Sequence, residues 1–252
     1  MRRRRARLFE APPGETVNDA DQCVANFYRA VKFDCKGVAH YADDPVNETD
    51  VRAWRRWLAD QAVFRKMMLT DPEYYDIRIA GKFCWMMGLN IAQGTGNSKP
   101  KNNPNGIHGL EFRKNFFRNF EDLRNRLRYT RVLCDDWQRV LTPVETTGSG
   151  LTAVFLDPPY ADNEYVYDVQ TVGVSHAVRE WAIAHGDDPL FRIALCGYRE
   201  HDMPEGWTAF DWKAAGGYGN QGEGRGRENA ELERIWFSRH CVDPSKGNYI
   251  FA

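Results

Sequence analysis

Four consecutive residues, Asp157, Pro158, Pro159 and Tyr160, have types and spacing that could do chemistry. A fixed Asp157 carboxylate and the carbonyl oxygen of Pro158 could accept both N–H donors of an exocyclic amino group, and the Tyr160 ring could stack on a flipped nucleobase. Such acceptors leave the nitrogen lone pair free to attack a methyl group. A solvated aspartate in a Pro-Pro turn is the simpler alternative for any one of these residues taken alone.

The element that must position these residues is a short strand. Residues 154–156 are Val, Phe and Leu, a run that predicts a strand buried on both faces, as in a parallel α/β sheet. Pro158 and Pro159 cannot donate ladder hydrogen bonds, so the strand must end before them. We therefore expect Asp157 at the carboxyl end of a strand, where open α/β sheets bind their ligands.

The Asp-Pro-Pro-Tyr motif resembles the catalytic motif of the adenine-N6 DNA methyltransferases, in the subgroup of DNA adenine methylases that bacteria and phages encode. Residues 15–21, Glu-Thr-Val-Asn-Asp-Ala-Asp, and residues 24–28, Val-Ala-Asn-Phe-Tyr, are similar to the segment that follows the family's glycine loop. The resemblance spans most of residues 15–240. It implies a site-specific enzyme that transfers a methyl group from S-adenosylmethionine to adenine N6 in double-stranded DNA.

The same resemblance implies an α/β fold, a Rossmann-like methyltransferase sheet that is incomplete at its first strand and carries a helical DNA-recognition insert. We expect residues 1–14 to be a basic tail, residues 15–37 and 129–252 the catalytic domain, and residues 38–128 the insert. A chain of 252 residues with 42% hydrophobic residues is long and apolar enough for one large domain with a smaller one inserted.

The first candidate for cofactor binding follows the predicted strand at residues 15–18. A carboxylate at the tip of the second strand of a nucleotide-binding sheet can accept hydrogen bonds from both ribose hydroxyls. By resemblance, Asp19 holds the ribose of S-adenosylmethionine. Asp21 fits the N-cap of the next helix, and a cap without any ligand is the alternative explanation for an acid at this point.

The second candidate follows the strand predicted at residues 129–133. In the family, an acidic residue and then an aromatic residue bind the cofactor's adenine at this point. Asp136 and Trp137 match that pair by position, with Asp135 as the competing acid. A solvent-facing acid at a strand end would have the same pattern.

A polar loop at residues 93–109 and a basic amphipathic helix at residues 111–129 are candidates for DNA contact, at the place where the family keeps its recognition insert. The basic side of the helix includes Arg124 and Arg126, and a solvated helix face is the alternative. A third candidate is the glycine-rich loop at residues 216–226. The residues expected to contact phosphates in or beside these segments are Lys99, Lys101, His108, Arg113, Lys114, Arg118, Arg225 and Arg227.

Composition limits the partners. Thirty-four basic and 35 acidic residues give a net charge of −1, so any nucleic-acid contact must come from a local patch. Six cysteines without Cys-x-x-Cys spacing or a histidine pairing suited to zinc predict buried reduced thiols, no metal and a cytoplasmic protein. No apolar run approaches the length of a membrane span, so we expect no membrane partner.

The family's Phe-x-Gly-x-Gly loop, which wraps the methionine part of the cofactor, has no match in residues 1–14. Three explanations are open: the start is set too late, a second chain supplies the glycine loop, or the chain is a catalytically inactive DNA-binding or partner-binding remnant. A methyltransferase acting on RNA or on a protein amide nitrogen is a further alternative. An in-frame Phe-x-Gly-x-Gly upstream of Met1 in the coding DNA would favour the first explanation.

Overall fold

The computed structural model describes residues 14–88, 107–158, 169–198, 202–211 and 233–242. It is a mixed α/β structure, as the sequence predicts at that level. The chain divides after Leu141 into two compact units. Among the described residues, the first unit contains residues 14–88 and 107–141, and the second contains the rest.

The first unit is built on a parallel pair of strands, β1 (Glu15–Asn18) and β2 (Thr130–Leu133). A parallel pair needs a long crossover connection, and helices fill much of this one. They are α1 (Gln22–Ala42), α2 (Glu48–Ala59), α3 (Ala62–Thr70), α4 (Ile77–Met87), α5 (Leu110–Arg113) and α6 (Phe116–Leu127); a short α7 (Trp137–Val140) follows β2. Asn47 is the N-cap of α2, since its side chain accepts from the N–H of Asp50.

Helices α1 and α4 pack closely at Gly81. A Cβ atom built on Gly81 would lie 2.7 Å from the carbonyl oxygen of Val38 and would also meet Tyr41. The close approach of α1 and α4 therefore requires a glycine at position 81. Helix α1 bends at Asp34, whose φ is −142° and ψ 67°, and the Asp34 carboxylate accepts from the N–H of Gly37 at 2.9 Å, like an N-cap for the second half.

The prediction of a single helix at residues 111–129 is wrong in one respect, because this segment forms two separate helices, α5 and α6. The break lies at Asn115, whose φ of −126° and ψ of 32° are not helical. The Asn119 side chain donates to the carbonyl oxygen of Phe112 across the break, at 3.1 Å. The predicted apolar face is confirmed, since Phe116 and Phe120 are buried in the core of this unit.

The second unit contains a four-stranded mixed sheet in the order β3-β4-β6-β5. Its elements are β3 (Thr152–Leu156), α8 (Val169–His185), β4 (Phe191–Tyr198), β5 (Thr208–Asp211) and β6 (Glu233–Phe237). Strands β3 and β4 are parallel, with Val154 opposite Ile193, whereas β6 runs antiparallel to both β4 and β5. The strands predicted at residues 15–18, 129–133 and 154–156 are present as β1, β2 and β3, within a few residues.

Strand β3 is buried on one face only. Val154 and Leu156 are 9% and 8% exposed, but Phe155 is 64% exposed. The expectation that both faces are buried is wrong because side chains alternate along a strand. Val154 pairs with Ile193 on the face where α8 lies, since the ring of Trp181 contacts Phe191 at 5.6 Å on that same face.

The six cysteines are free thiols, as the sequence predicts, three of them buried and three half-buried. Burial raises the pKa of Cys23 to about 11 and that of Cys84 to about 12, so both are neutral at ordinary pH. None of the helices in the described ranges is long and apolar enough to span a bilayer.

Candidate functional site

The carboxyl ends of β1 and β2 are joined by the side chain of Asn18. Its amide N–H donates to the carbonyl oxygen of Asp135 at 3.0 Å, and its amide oxygen accepts from the N–H of Asp135 at 3.1 Å. Both backbone groups of Asp135 are therefore satisfied by one side chain. This pairing places the turn after β1, which begins with Asp19, beside the turn after β2.

Asp19 lies just past β1 and is half-buried. One of its carboxylate oxygens accepts from the N–H of Asp21 at 2.8 Å. Burial raises the pKa of the Asp19 carboxyl, while this hydrogen bond acts in the opposite direction. The Asp21 carboxylate accepts from the N–H of Cys23 at 2.8 Å, so the predicted N-cap of α1 is confirmed.

The two acids after β2 have different environments. Asp135 forms an ion pair with Arg139 at 2.8 Å and accepts from the N–H of Asp136. Asp136 is exposed and caps α7, accepting from the N–H of Gln138 at 2.9 Å. A carboxylate has about four acceptor positions, so this cap leaves Asp136 able to accept from a ligand. Trp137 follows it, half-buried, as the first residue of α7.

The surroundings of this edge include a tyrosine and a buried guanidinium. Burial raises the pKa of Tyr28, and the charge of Asp19 raises it further. Arg29 is 6% exposed and donates to the carbonyl oxygens of Asp71 and Tyr74 at 3.4 Å. Burial also raises the pKa of the Cys134 thiol, which the charge of Arg29 partly offsets. The edge therefore offers carboxylate acceptors next to neutral hydroxyl and thiol groups.

The candidate catalytic motif lies in the second unit. Asp157 directly follows β3 and is exposed, and Pro158 is half-buried. Because β3 is parallel to β4, Asp157 stands at the carboxyl edge of a parallel pair, where ligand sites of open sheets occur. Pro159 and Tyr160 lie outside the described residues.

The residues predicted to contact DNA separate into three groups. Arg113, Lys114 and Arg118 are exposed, and Arg113 also donates to the carbonyl oxygen of Asp44 at 3.3 Å. His108 is only 7% exposed, and its Nε2 lies 2.9 Å from the carbonyl oxygen of Trp85, so it packs in the interior instead of facing a phosphate. Outside the described residues are Lys99, Lys101, Arg225 and Arg227.

The prediction that Arg126 lies on the exposed basic side of the helix is wrong. Its guanidinium forms a bidentate ion pair with Glu15 of β1, and the Thr130 hydroxyl donates to the same carboxylate at 2.6 Å. Helix periodicity could not show this, because the partner lies 111 positions earlier in the chain. The pair ties α6 to the start of both strands of the first unit.

Each unit places carboxylates at the ends of its strands, Asp19 and Asp136 in the first unit and Asp157 in the second. Such groups can accept hydrogen bonds from ribose hydroxyls and amino groups. The sequence analysis did not predict a role for Asn18, whose only signal is an amide immediately before Asp19, at a strand end.

Neither a scan against protein-family models nor a search of curated proteins found a match to this chain.

Proposed function

We propose that this chain is a DNA methyltransferase that transfers a methyl group from S-adenosylmethionine to adenine N6 in double-stranded DNA. The observation that carries the proposal is the position of Asp157 and Pro158. They follow β3 without a gap, at the carboxyl edge of its parallel pairing with β4. The antiparallel pairing of β5 and β6 adds support, since residues 233–238 resemble a strand of the hairpin that closes the sheet in the DNA adenine methylases.

The chain's own groups orient the acceptor nitrogen. The Asp157 carboxylate and the Pro158 carbonyl oxygen accept from the two N–H groups of a flipped adenine, and Tyr160 stacks on its ring. S-adenosylmethionine supplies an electrophilic methyl group when bound. With both N–H groups held, the nitrogen lone pair would be free to attack that methyl group. The N–C bond would form as the methyl–sulfur bond breaks, S-adenosylhomocysteine would leave, and the proton lost by the nitrogen would pass to water.

The hydrogen-bond acceptors at the carboxyl ends of β1 and β2 suit the cofactor. Asp19 is the proposed acceptor for the ribose hydroxyls, and Asp136 with Trp137 for the adenine ring. Each carboxylate makes one hydrogen bond to a nearby N–H, which leaves acceptor capacity on both. The Asn18 bridge holds the two turns side by side, a rigid support that a nucleoside site needs.

The test of the proposal is methyl transfer by an Asp157→Ala variant. Ala removes both carboxylate oxygens, and with them the acceptor for one N–H group of the adenine, so we expect activity to fall about 100-fold or more. DNA binding, measured by fluorescence anisotropy, should change by less than about threefold, because affinity rests mainly on phosphate contacts. The matched control is Glu180→Ala, another exposed acid of the second unit. Methylation retained by Asp157→Ala would refute the assignment.

A second candidate is a catalytically inactive relative that binds DNA or a protein partner. It is favoured by the absence of a Phe-x-Gly-x-Gly motif from the sequence; in the first proposal, a second chain supplies that loop. Calorimetry with S-adenosylmethionine separates the two candidates. Binding that weakens in Asp19→Ala supports the enzyme, whereas no binding together with no methylation supports the inactive relative.

A further inference from the structure

The helices of the first unit form an open cavity of about 570 Å³ on the surface, which the proposed methyl-transfer chemistry does not use. Its size is within the range of about 300–1,000 Å³ typical of sites for small organic ligands. Four helical elements contribute to it: the end of α1 with the residues that follow, and α2, α4 and α6. The lining residues are His40, Tyr41, Asp43, Asp44, Trp54, Arg78, Lys82 and Phe117.

The floor of the cavity is an ion pair that is already satisfied. The side chain of Lys82 is only 5% exposed, and its ammonium group binds the Asp44 carboxylate. The same ammonium lies 4.7 Å from the centre of the Trp54 ring. Because Asp44 neutralises Lys82, the floor does not attract a second anion, and a phosphate is a poor occupant of the interior.

The walls and rim are aromatic and basic. Tyr41 and Trp54 are half-buried walls, whereas Phe117 is 48% exposed at the rim. Arg78 is exposed, with its guanidinium 5.3 Å from the Trp54 ring centre. Exposed Arg113 adds a charge close by, since it donates to the carbonyl oxygen of Asp44. The rim therefore offers two guanidinium groups, and the interior combines aromatic rings with polar side chains.

One acceptor completes the cavity. Asp43 ends α1 and is exposed, so its carboxylate can accept from a ligand that carries an N–H group. A ligand that satisfies all of these features has a flat ring with an amino or imino donor and an attached anion that stays at the rim. A nucleotide has this combination, because bases stack on aromatic side chains and phosphates bind arginine.

We propose that this cavity binds the base of an unpaired nucleotide of DNA, with the ring against Phe117 and Trp54 and the phosphate beside Arg78 and Arg113. The inference rests on the proposed function in taking DNA as the partner. It adds a second base-binding site, formed by the first unit alone, whereas Asp157 lies in the second unit.

The experiment compares two single-stranded probes of about 12 nucleotides, a length within known single-strand site sizes. One is oligodeoxyadenosine, and the other has the same backbone with abasic sugars. Fluorescence anisotropy of labelled probes is measured without S-adenosylmethionine on the full chain and on three variants, Phe117→Ala, Phe117→Trp and Phe33→Ala. Phe33 is the matched control, since it is an exposed phenylalanine of the same unit, 56% exposed, that does not line the cavity.

We expect the unaltered chain to prefer the probe with bases. Phe117→Ala should reduce that preference about fivefold or more, as loss of one stacking contact predicts, while Phe117→Trp and Phe33→Ala retain it. Circular dichroism of Phe117→Ala should match the unaltered chain. No preference for bases in the unaltered chain, or a Phe117→Ala variant that keeps its preference or weakens both probes equally, overturns the inference.

These outcomes are separate from those that test methyl transfer. A base preference that depends on Phe117, in a chain that neither binds S-adenosylmethionine nor methylates DNA, refutes the enzyme assignment and leaves the cavity inference standing. A chain that methylates DNA but shows no base preference supports the enzyme assignment and refutes the cavity inference.

Discussion

Asn18 and Asp135 lie 117 positions apart in the chain and are joined by two hydrogen bonds, from one side-chain amide to the backbone N–H and C=O of Asp135. These bonds link the chain just past the last ladder pair of β1 and β2, Asn18 with Leu133. Because Asp19 and Asp136 are the adjacent residues, this contact holds the two proposed cofactor-binding acids on neighbouring turns.

Replacement of Asn18 by Ala should loosen this edge. The variant leaves a half-buried N–H and C=O of Asp135 without partners, which should cost about 1–3 kcal/mol in the free energy of unfolding. Chemical denaturation followed by circular dichroism measures it, and S-adenosylmethionine affinity should fall in parallel. Asn125→Ala, at an exposed position of α6, is the control and should change stability by less than about 0.5 kcal/mol. Equal stabilities of the two variants would contradict the role of Asn18.

The ion pair of Glu15 and Arg126 predicts a pH-dependent contribution to stability. The Arg126 hydrogen bond holds the pKa of Glu15 below its ordinary value of 4.5, although burial acts in the opposite direction. A carboxyl with a lowered pKa stabilises the folded state above its unfolded-state pKa, and this stabilisation is lost as pH falls through the folded-state value. Glu15→Gln should therefore be less stable than the unaltered chain by about 1–3 kcal/mol near pH 7.

The difference between Glu15→Gln and the unaltered chain should shrink as the pH is lowered below 4.5. Urea titrations across this range measure it. Arg52→Gln is the control because the pair of Arg52 with Glu48 is exposed, and such pairs contribute about 0.5 kcal/mol or less. A difference that grows on acidification would show that the carboxylate of Glu15 does not carry the stabilisation.

Gly81→Ala tests the contact between α1 and α4. Alanine is the better helix former by about 1 kcal/mol, yet its Cβ would lie 2.7 Å from the Val38 carbonyl oxygen and 2.9 Å from the Tyr41 carbonyl carbon. These are backbone atoms, so the helices must move apart, and we expect a net loss of about 1–3 kcal/mol. Gly173→Ala in α8 is the matched control, because no atom lies within 4 Å of the added Cβ, and it should not destabilise. Thermal melts that rank the two variants in the opposite order would refute the prediction.

We expect the exposed basic residues on and near α6 to contribute to DNA binding through contacts with phosphates. Replacing Arg118 by Gln should weaken binding to all duplex sequences and reduce the slope of log affinity against log salt by about 0.9. Anisotropy titrations at several salt concentrations measure the slope. Arg52→Gln, which is exposed on α2, should leave it unchanged. The same slope in both variants would exclude Arg118 from the DNA contact.

Local rules predicted most elements of the fold. The strands at residues 15–18 and 129–133 were expected, and Asp21 caps the helix expected to begin after it. The one helix expected across Asn115 is two, because the Asn119 side chain bonds the carbonyl oxygen of Phe112 at the break. That bond depends on how residues in the middle of the helix are oriented, which periodicity does not report.

For the candidate site residues, the positions at strand ends were predicted, but the burial of the strand before Asp157 was not. Asp19, Asp136 and Asp157 each stand at a strand end as expected, since strand ends follow from nearby residues. Phe155 was expected to be buried but is exposed, because an apolar run does not show which face other elements cover.

The sequence by itself predicted where several strands and helices begin or end, and which acceptors stand at the strand ends, since caps, prolines and alternation act over a few residues. The tertiary structure decided that Asn18 bonds Asp135, that Arg126 pairs with Glu15 instead of facing solvent, and that four helical elements line an open cavity beside Lys82. These contacts join residues far apart in the chain. Their formation depends on the packing of whole helices, a property that no local pattern encodes.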